Sequence, residues 1–269
     1  MDALLPAAMA RRAEDIGVTK AALPADRLIA LSVLAGAFIG FGAMYATVGT
    51  ADPDLSFAVS RVLGGVVFSL GLILVVVGGA ELFTGNALLV MAVASRRVRL
   101  RALVRNWAIV LVGNAIGAVG LAVLVVWSGA LDGSGGAIGR RAVEIGIAKT
   151  SLDVDQAIAS GVIANVLVCL AVWMTLSARS VTDRVLVVIL PVSAFVAGGF
   201  EHSVANMYLL PVAILHRNRT TSANLPASGQ LTWAHALTDN LLPVIAGNVI
   251  GGSLLVGVVY WFVYLRGST

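Results

Sequence analysis

Charge is what this sequence has little of: 12% of its 269 residues are Asp, Glu, Lys or Arg, against about a quarter in soluble domains. A water-facing surface cannot be built from so few charges, and with 59% hydrophobic residues the chain reads as a bilayer protein. One cysteine, Cys169, closes no disulfide within the chain and excludes a disulfide scaffold. Three histidines and that cysteine leave few metal ligands, and HExxH-type spacing is absent, so no metal, no cofactor and no enzyme activity is expected. An Asn-Pro-Ala pair is also missing, which removes support for a neutral-solute channel of the water, glycerol or ammonia type. The 18 Lys and Arg exceed the 14 Asp and Glu, yet they lie between apolar runs and form no single patch. They read as topology signals, and nucleic acid is not an expected partner.

What the sequence has is long uncharged runs. Residues 28–51, 106–131, 156–178 and 240–265 run 24, 26, 23 and 26 residues, each enough for one crossing, since about 20 apolar residues span the hydrocarbon. Two further stretches, 62–95 and 185–215, run 34 and 31 residues and are too long for one plain helix. Both carry Gly-Gly-x-Glu-x-x-x-x-Asn near the middle, from Gly78 to Asn86 and from Gly198 to Asn206, an offset of 120. Glycine weakens a helix, and a carboxylate at membrane depth needs a protein-lined or wet interior, so each long run is expected to break there. A second repeat, Gly113-Asn114-Ala115-Ile116-Gly117 and Gly247-Asn248-Val249-Ile250-Gly251, is offset by 134. The expected fold is all-α and integral to the membrane: six transmembrane helices in two inverted halves, 28–131 and 156–265, with the second and fifth helices broken.

Residues 1–27 form an N-terminal cytoplasmic segment, an amphipathic or disordered lead-in without a cleavable signal peptide, and 266–269 a short tail. With both termini cytoplasmic, twelve of the Lys and Arg fall inside and six outside, the bias expected of a multi-pass protein of the cell inner membrane. Trp107, Trp127, Trp173 and Trp261 lie near span ends, where an interfacial belt is the default reading.

Polar groups within the spans are few. Glu81 and Glu201, at matched positions, are expected to brace the breaks by accepting backbone N–H bonds, with Asn86 and Asn206 as structural partners. His202 has no counterpart, because Leu82 holds the matching place, and a titratable group at a symmetric break is a functional candidate. Thr84 is the hydroxyl beside it on the first break, next to Leu82 and Phe83. Phe68, Leu72 and Phe195 are bulky enough to narrow a pore. Lys149 either attracts anions or flanks the fourth span, and Asn165 and Asn248 are further polar groups inside spans.

The stretches Gly78-Gly79-Ala80-Glu81-Leu82-Phe83-Thr84-Gly85-Asn86 and Phe200-Glu201-His202-Ser203-Val204-Ala205-Asn206-Met207 resemble signatures of the formate/nitrite transporter family. So do Asn165-Val166-Leu167-Val168-Cys169-Leu170-Ala171-Val172-Trp173 and Gly247-Asn248-Val249-Ile250-Gly251-Gly252. The resemblance spans about residues 25 to 265. It implies an aquaporin-like protomer, assembled as a homopentamer with one pore each, for small anions such as formate or nitrite. By that resemblance His202 is the central pore histidine and Thr84 its partner. Lys149 and Asn165 match positions that attract or contact the anion, Asn248 a polar position on the sixth span, and Phe68, Leu72, Leu82, Phe83 and Phe195 constrictions. Val166 and Val204 depart mildly from the family pattern. The expected activity is a passive or proton-linked path for monovalent weak-acid anions; hydrosulfide, acetate or lactate conduction, or a neutral-solute channel, are the alternatives.

Overall fold

A computed structural model describes residues 3–220, 225–226 and 229–267, so part of the expected 266–269 tail lies outside the described residues. Those described are helical throughout, with no strand. The order is α1 (Pro6–Ala21), α2 (Ala25–Gly49), α3 (Phe57–Gly78), α4 (Val90–Ala94), α5 (Leu100–Trp127), α6 (Ala137–Thr150), α7 (Val154–Thr175), α8 (Val181–Ala197), α9 (Ser203–Arg219) and α10 (Trp233–Tyr264). Five of them, α2, α3, α5, α7 and α10, are long and apolar enough to cross a membrane. From Pro6 onward the lead-in is helical and packed, not disordered. Pro6 starts α1, whose Met9, Ala10, Ala13 and Gly17 are buried against the rest of the chain.

Both Gly-Gly sites end a helix. Gly79 and Gly199 take the left-handed conformation, at φ +73° and +75°. The next amides, Ala80 and Phe200, bond back to the carbonyls of Val75 and Phe195, both at 3.0 Å. These are paired Schellman endings, in which glycine is favoured because a Cβ disfavours that conformation. After the first, the chain resumes as a 3₁₀ turn, Gly85–Leu89, and short α4; after the second it resumes directly as α9. The two interruptions are alike, but the chain leaves them differently.

Close backbone approach packs each half internally. Gly113 and Gly117 of α5 press on α2, where a Cβ on Gly117 would overlap the Val33 carbonyl; Gly247 and Gly251 of α10 press on α7, against the carbonyls of Ile158 and Val162. Helices in lipid gain from such small-residue faces because packing, rather than water exclusion, drives their association. Three of the four tryptophans near span ends also have partners within the protein: Trp107 Nε1 donates to the Asn86 carbonyl, Trp261 Nε1 to Ser95 Oγ, and Trp173 packs on Tyr260 at 4.3 Å. Trp127 is exposed. Replacing Gly117 or Gly251 by Val should cost about 2 kcal/mol or more and lower the Tm in detergent. Gly120→Ala, where a Cβ meets nothing within 4 Å, should leave it within a degree or two.

Candidate functional site

Stopping two helices inside the protein strands their backbone groups. Asn114 of α5 answers the first break: its Oδ1 accepts from Phe83 N at 2.9 Å, and its Nδ2 donates to the carbonyls of Ser32 at 2.7 Å and Glu81 at 2.9 Å. Asn248 of α10 does the same at the second, accepting from Ser203 N at 2.9 Å and donating to Gly161 at 2.8 Å and Glu201 at 3.0 Å. The expectation that Glu81 and Glu201 would brace the loops through backbone N–H bonds is therefore corrected. A loop exposes donors and acceptors together, and an amide serves both, whereas a carboxylate only accepts. These contacts also commit both ends of the Asn248 side chain.

The carboxylates organise side chains. Glu201 Oε1 pairs with Lys149 Nζ at 2.8 Å, and its Oε2 accepts from Asn206 Nδ2 at 2.6 Å and Asn240 Nδ2 at 3.0 Å. Glu81 pairs with Lys20 Nζ at 3.1 Å and accepts from Asn86 Nδ2 at 2.7 Å, while Asn106 Oδ1 takes a bond from Asn86 Nδ2 at 3.0 Å. The matching Asn206 Nδ2 to Asn240 Oδ1 bond is 2.6 Å. Each lysine carbonyl also accepts from the second asparagine: Lys20 O from Asn106 Nδ2 and Lys149 O from Asn240 Nδ2. Lys20 on α1 is thus the counterpart of Lys149 on α6. Two differences break the match: Asn240 Nδ2 also donates to Glu201, a bond Asn106 Nδ2 does not make to Glu81, and the lysines differ in reach. Lys20 Nζ also reaches Asn86 Oδ1 at 2.8 Å, whereas Asn206 Oδ1 is buried without a partner.

Sequence reasoning missed Lys20, Asn106 and Asn240. The signal was present: Asn106 to Asn114 and Asn240 to Asn248 share a spacing of eight, and Lys20 and Ser32 recur as Lys149 and Gly161 at an offset of 129.

Between the two carboxylate clusters lies His202, 2% exposed. Its Nε2 is 2.9 Å from Thr84 Oγ1, and its Nδ1 accepts from Ala205 N at 3.1 Å, capping α9. A nitrogen that accepts an N–H carries no proton, so this network assigns the neutral ring's proton to Nε2, which donates to Thr84. The ring stacks on Phe195 at 5.8 Å, and Phe195 meets Phe68 edge-on at 5.6 Å. From α7, Asn165 Nδ2 donates to the Asn248 carbonyl at 2.5 Å, and Cys169 Sγ approaches the Thr84 carbonyl at 3.4 Å.

Two cavities approach this centre. One, of about 740 Å³, is lined by Lys149, Phe68, Phe195 and His202; the other, of about 260 Å³, by Lys20, Glu81, Leu72 and Leu82. Phe83 lines neither, and its ring packs on Trp107 at 6.2 Å. Its expected place in a constriction is not where the side chain lies, because the backbone that binds Asn114 turns it toward α5. Among the described residues no three His, Cys, Asp or Glu side chains gather as a metal site.

The family described as Formate/nitrite transporter matches residues 7–262. The chain belongs to that family. Other members include the formate channel FocA of Escherichia coli K12, 43% identical over 98% of this chain and 96% of the relative. A probable formate transporter of Methanothermobacter thermautotrophicus is 36% identical over 97% of each. Among solved structures, a pentameric formate channel with formate bound superposes with a TM-score of 0.83 at 42% identity, covering 90% of this chain and 98% of that one. An FNT family ion channel superposes with a TM-score of 0.82 at 28% identity, covering 95% and 98%. As a formate/nitrite transporter family member the protein is a multi-pass membrane protein, and these relatives are named as channels and transporters, not enzymes.

The Lys149–Glu201 pair is 14% and 5% exposed, so removing one partner leaves an uncompensated charge indoors. Lys149→Met should destabilise the protein by about 3 kcal/mol, and adding Glu201→Gln should restore much of the loss; thermal unfolding in detergent of both variants checks this.

Proposed function

We propose that this protein conducts small monovalent weak-acid anions, formate first and nitrite next, across the cytoplasmic (inner) membrane. It works as a homopentamer of six-span, aquaporin-like protomers with both termini cytoplasmic. The observation that carries the reading is Thr84 Oγ1 and His202 Nε2 at 2.9 Å, with His202 lining the larger cavity beside Phe68 and Phe195, and Leu82, two residues from Thr84, lining the smaller one beside Leu72. The path enters beside Lys149, passes Phe68 and Phe195, reaches His202, Thr84 and Asn165, and leaves past Leu72 and Leu82 beside Lys20. Glu81, Glu201, Asn86, Asn206 and Asn248 hold the breaks around it. The family's formate channels support formate as the first candidate.

A bare anion among those apolar groups loses hydration worth several kcal/mol, so it needs a donor where the path is driest. His202 supplies one through Nε2–H. An anion that takes this bond in place of Thr84 Oγ1 can also accept from the Thr84 hydroxyl, whose own proton the bond to His202 does not use, which places two donors on one small solute. Proton delivery asks for more. Losing the Nε2 proton from a neutral ring would leave an imidazolate, so a proton-linked cycle first loads Nδ1 and gives up the Ala205 bond. The neutral acid then crosses the Leu72 and Leu82 constriction.

His202→Phe in proteoliposomes removes the donor and should lower formate flux by roughly tenfold or more, as expected for losing a hydrogen bond to a charged group. Unchanged flux takes His202 out of the mechanism. Measuring formate, nitrite, hydrosulfide, acetate and lactate at pH 5 and 7.5, with glycerol swelling as the neutral-solute arm, orders the substrates.

A further inference from the structure

The two vestibule lysines do not offer free charge to an incoming solute, because Lys149 is paired to Glu201 and Lys20 to Glu81. The other charged side chains of the larger cavity are Arg61, Arg140, Arg141, Asp52 and Glu144. Arg141 pairs with Glu144 at 3.3 Å, and Asp52 accepts from the Asp54 amide at 2.9 Å. Arg61 forms no ion pair among the described residues. Its guanidinium carbon stands 5.3 Å from the Phe57 ring centre, and its Nη2 lies where a Cβ on Gly199 would come within 2.9 Å. The guanidinium is therefore seated on the left-handed glycine that ends α8, two residues from Glu201 and three from His202.

The smaller cavity has a related arrangement. Arg184, at the start of α8, lines it together with Gly79, the left-handed glycine that ends α3, and also has no ion pair among the described residues. Arg12, in the same wall, donates to the Leu176 carbonyl. Each mouth thus holds a guanidinium without an ion pair in the same wall as a helix-ending glycine and a lysine that is already neutralised; Arg140 of the larger mouth also lacks an ion pair among the described residues but sits on α6, away from the Gly-Gly motif in sequence.

We infer that Arg61 is the anion-capture site of the Lys149 mouth and Arg184 that of the Lys20 mouth, each suited to a planar anion with two oxygens on one centre. The parallel N–H groups of a guanidinium match the two oxygens of a carboxylate or nitrite, a fit that an ammonium or a lone point charge does not provide. The inference deepens the anion-channel reading and rests on it.

The test is initial formate flux against concentration in right-side-out and inside-out vesicles. Arg61→Gln should raise the half-saturating formate concentration roughly three- to fivefold from the outer face, more than from the inner one, and Arg184→Gln should give the reverse asymmetry. Arg61→Lys should recover only part of the loss, and Arg140→Gln, which removes an equal charge from the same wall, should have the smaller effect. Unaltered half-saturation in Arg61→Gln, equal shifts from both faces, an Arg140→Gln shift as large as that of Arg61→Gln, or full recovery by Arg61→Lys would each overturn the capture site while the channel reading stands. Formate flux in the parent protein that does not saturate would overturn the capture site alone, and no formate flux at all would overturn both.

Discussion

The structure depends on one constraint: after each of two helices stops, the chain runs through buried residues, 80–84 and 201–203, and every peptide group released there has to find a partner inside the protein. Asn114 and Asn248 meet it, each with a single side-chain amide that takes one N–H and gives two bonds to carbonyls. Packing is set by that choice. An amide reaches the neighbouring helix's carbonyl only if the helices nearly touch, and the glycines one residue before and three after each asparagine allow that approach. The motif Gly-Asn-x-x-Gly is thus at once a spacing device and a hydrogen-bonding device.

On this duplicated frame the groups with chemistry are unequal. His202 faces the place of Leu82, Thr84 that of Val204, Asn165 that of Gly36 and Cys169 that of Gly40. In each pair one half has a polar side chain and the other an aliphatic one or none. The lysine, glutamate and asparagine clusters keep both copies, apart from the unpartnered Asn206 Oδ1. Symmetry maintains the fold, and its violation at the centre provides a single hydrogen-bonding station with apolar walls on either side.

Much of this was legible in the sequence where a residue conflicts with its surroundings. Glycine pairs and carboxylates inside apolar runs marked both breaks, and a lone imidazole opposite a leucine marked the centre. What stayed hidden was geometry that crosses elements. Lys20 lies in the segment of lowest hydropathy, and its link to Glu81 requires α1 to fold back over a break 61 residues later. Phe83 has the bulk of a constriction residue, but the amide that Asn114 holds decides which way its side chain leaves the chain. The tryptophans near span ends fit an interfacial pattern by position alone, and only their partners inside the protein set three of them apart.

The place of α1 has a practical consequence. Lys20 Nζ and Lys20 O together close the cluster of Glu81, Asn86 and Asn106, and Arg97 ties the same helix down through Glu14 and Asp15. Excising the first twenty residues would not trim a loose appendage but strip the paired ammonium from a carboxylate only 6% exposed. Shortened or fused versions of the chain should accordingly begin upstream of this helix and leave it whole.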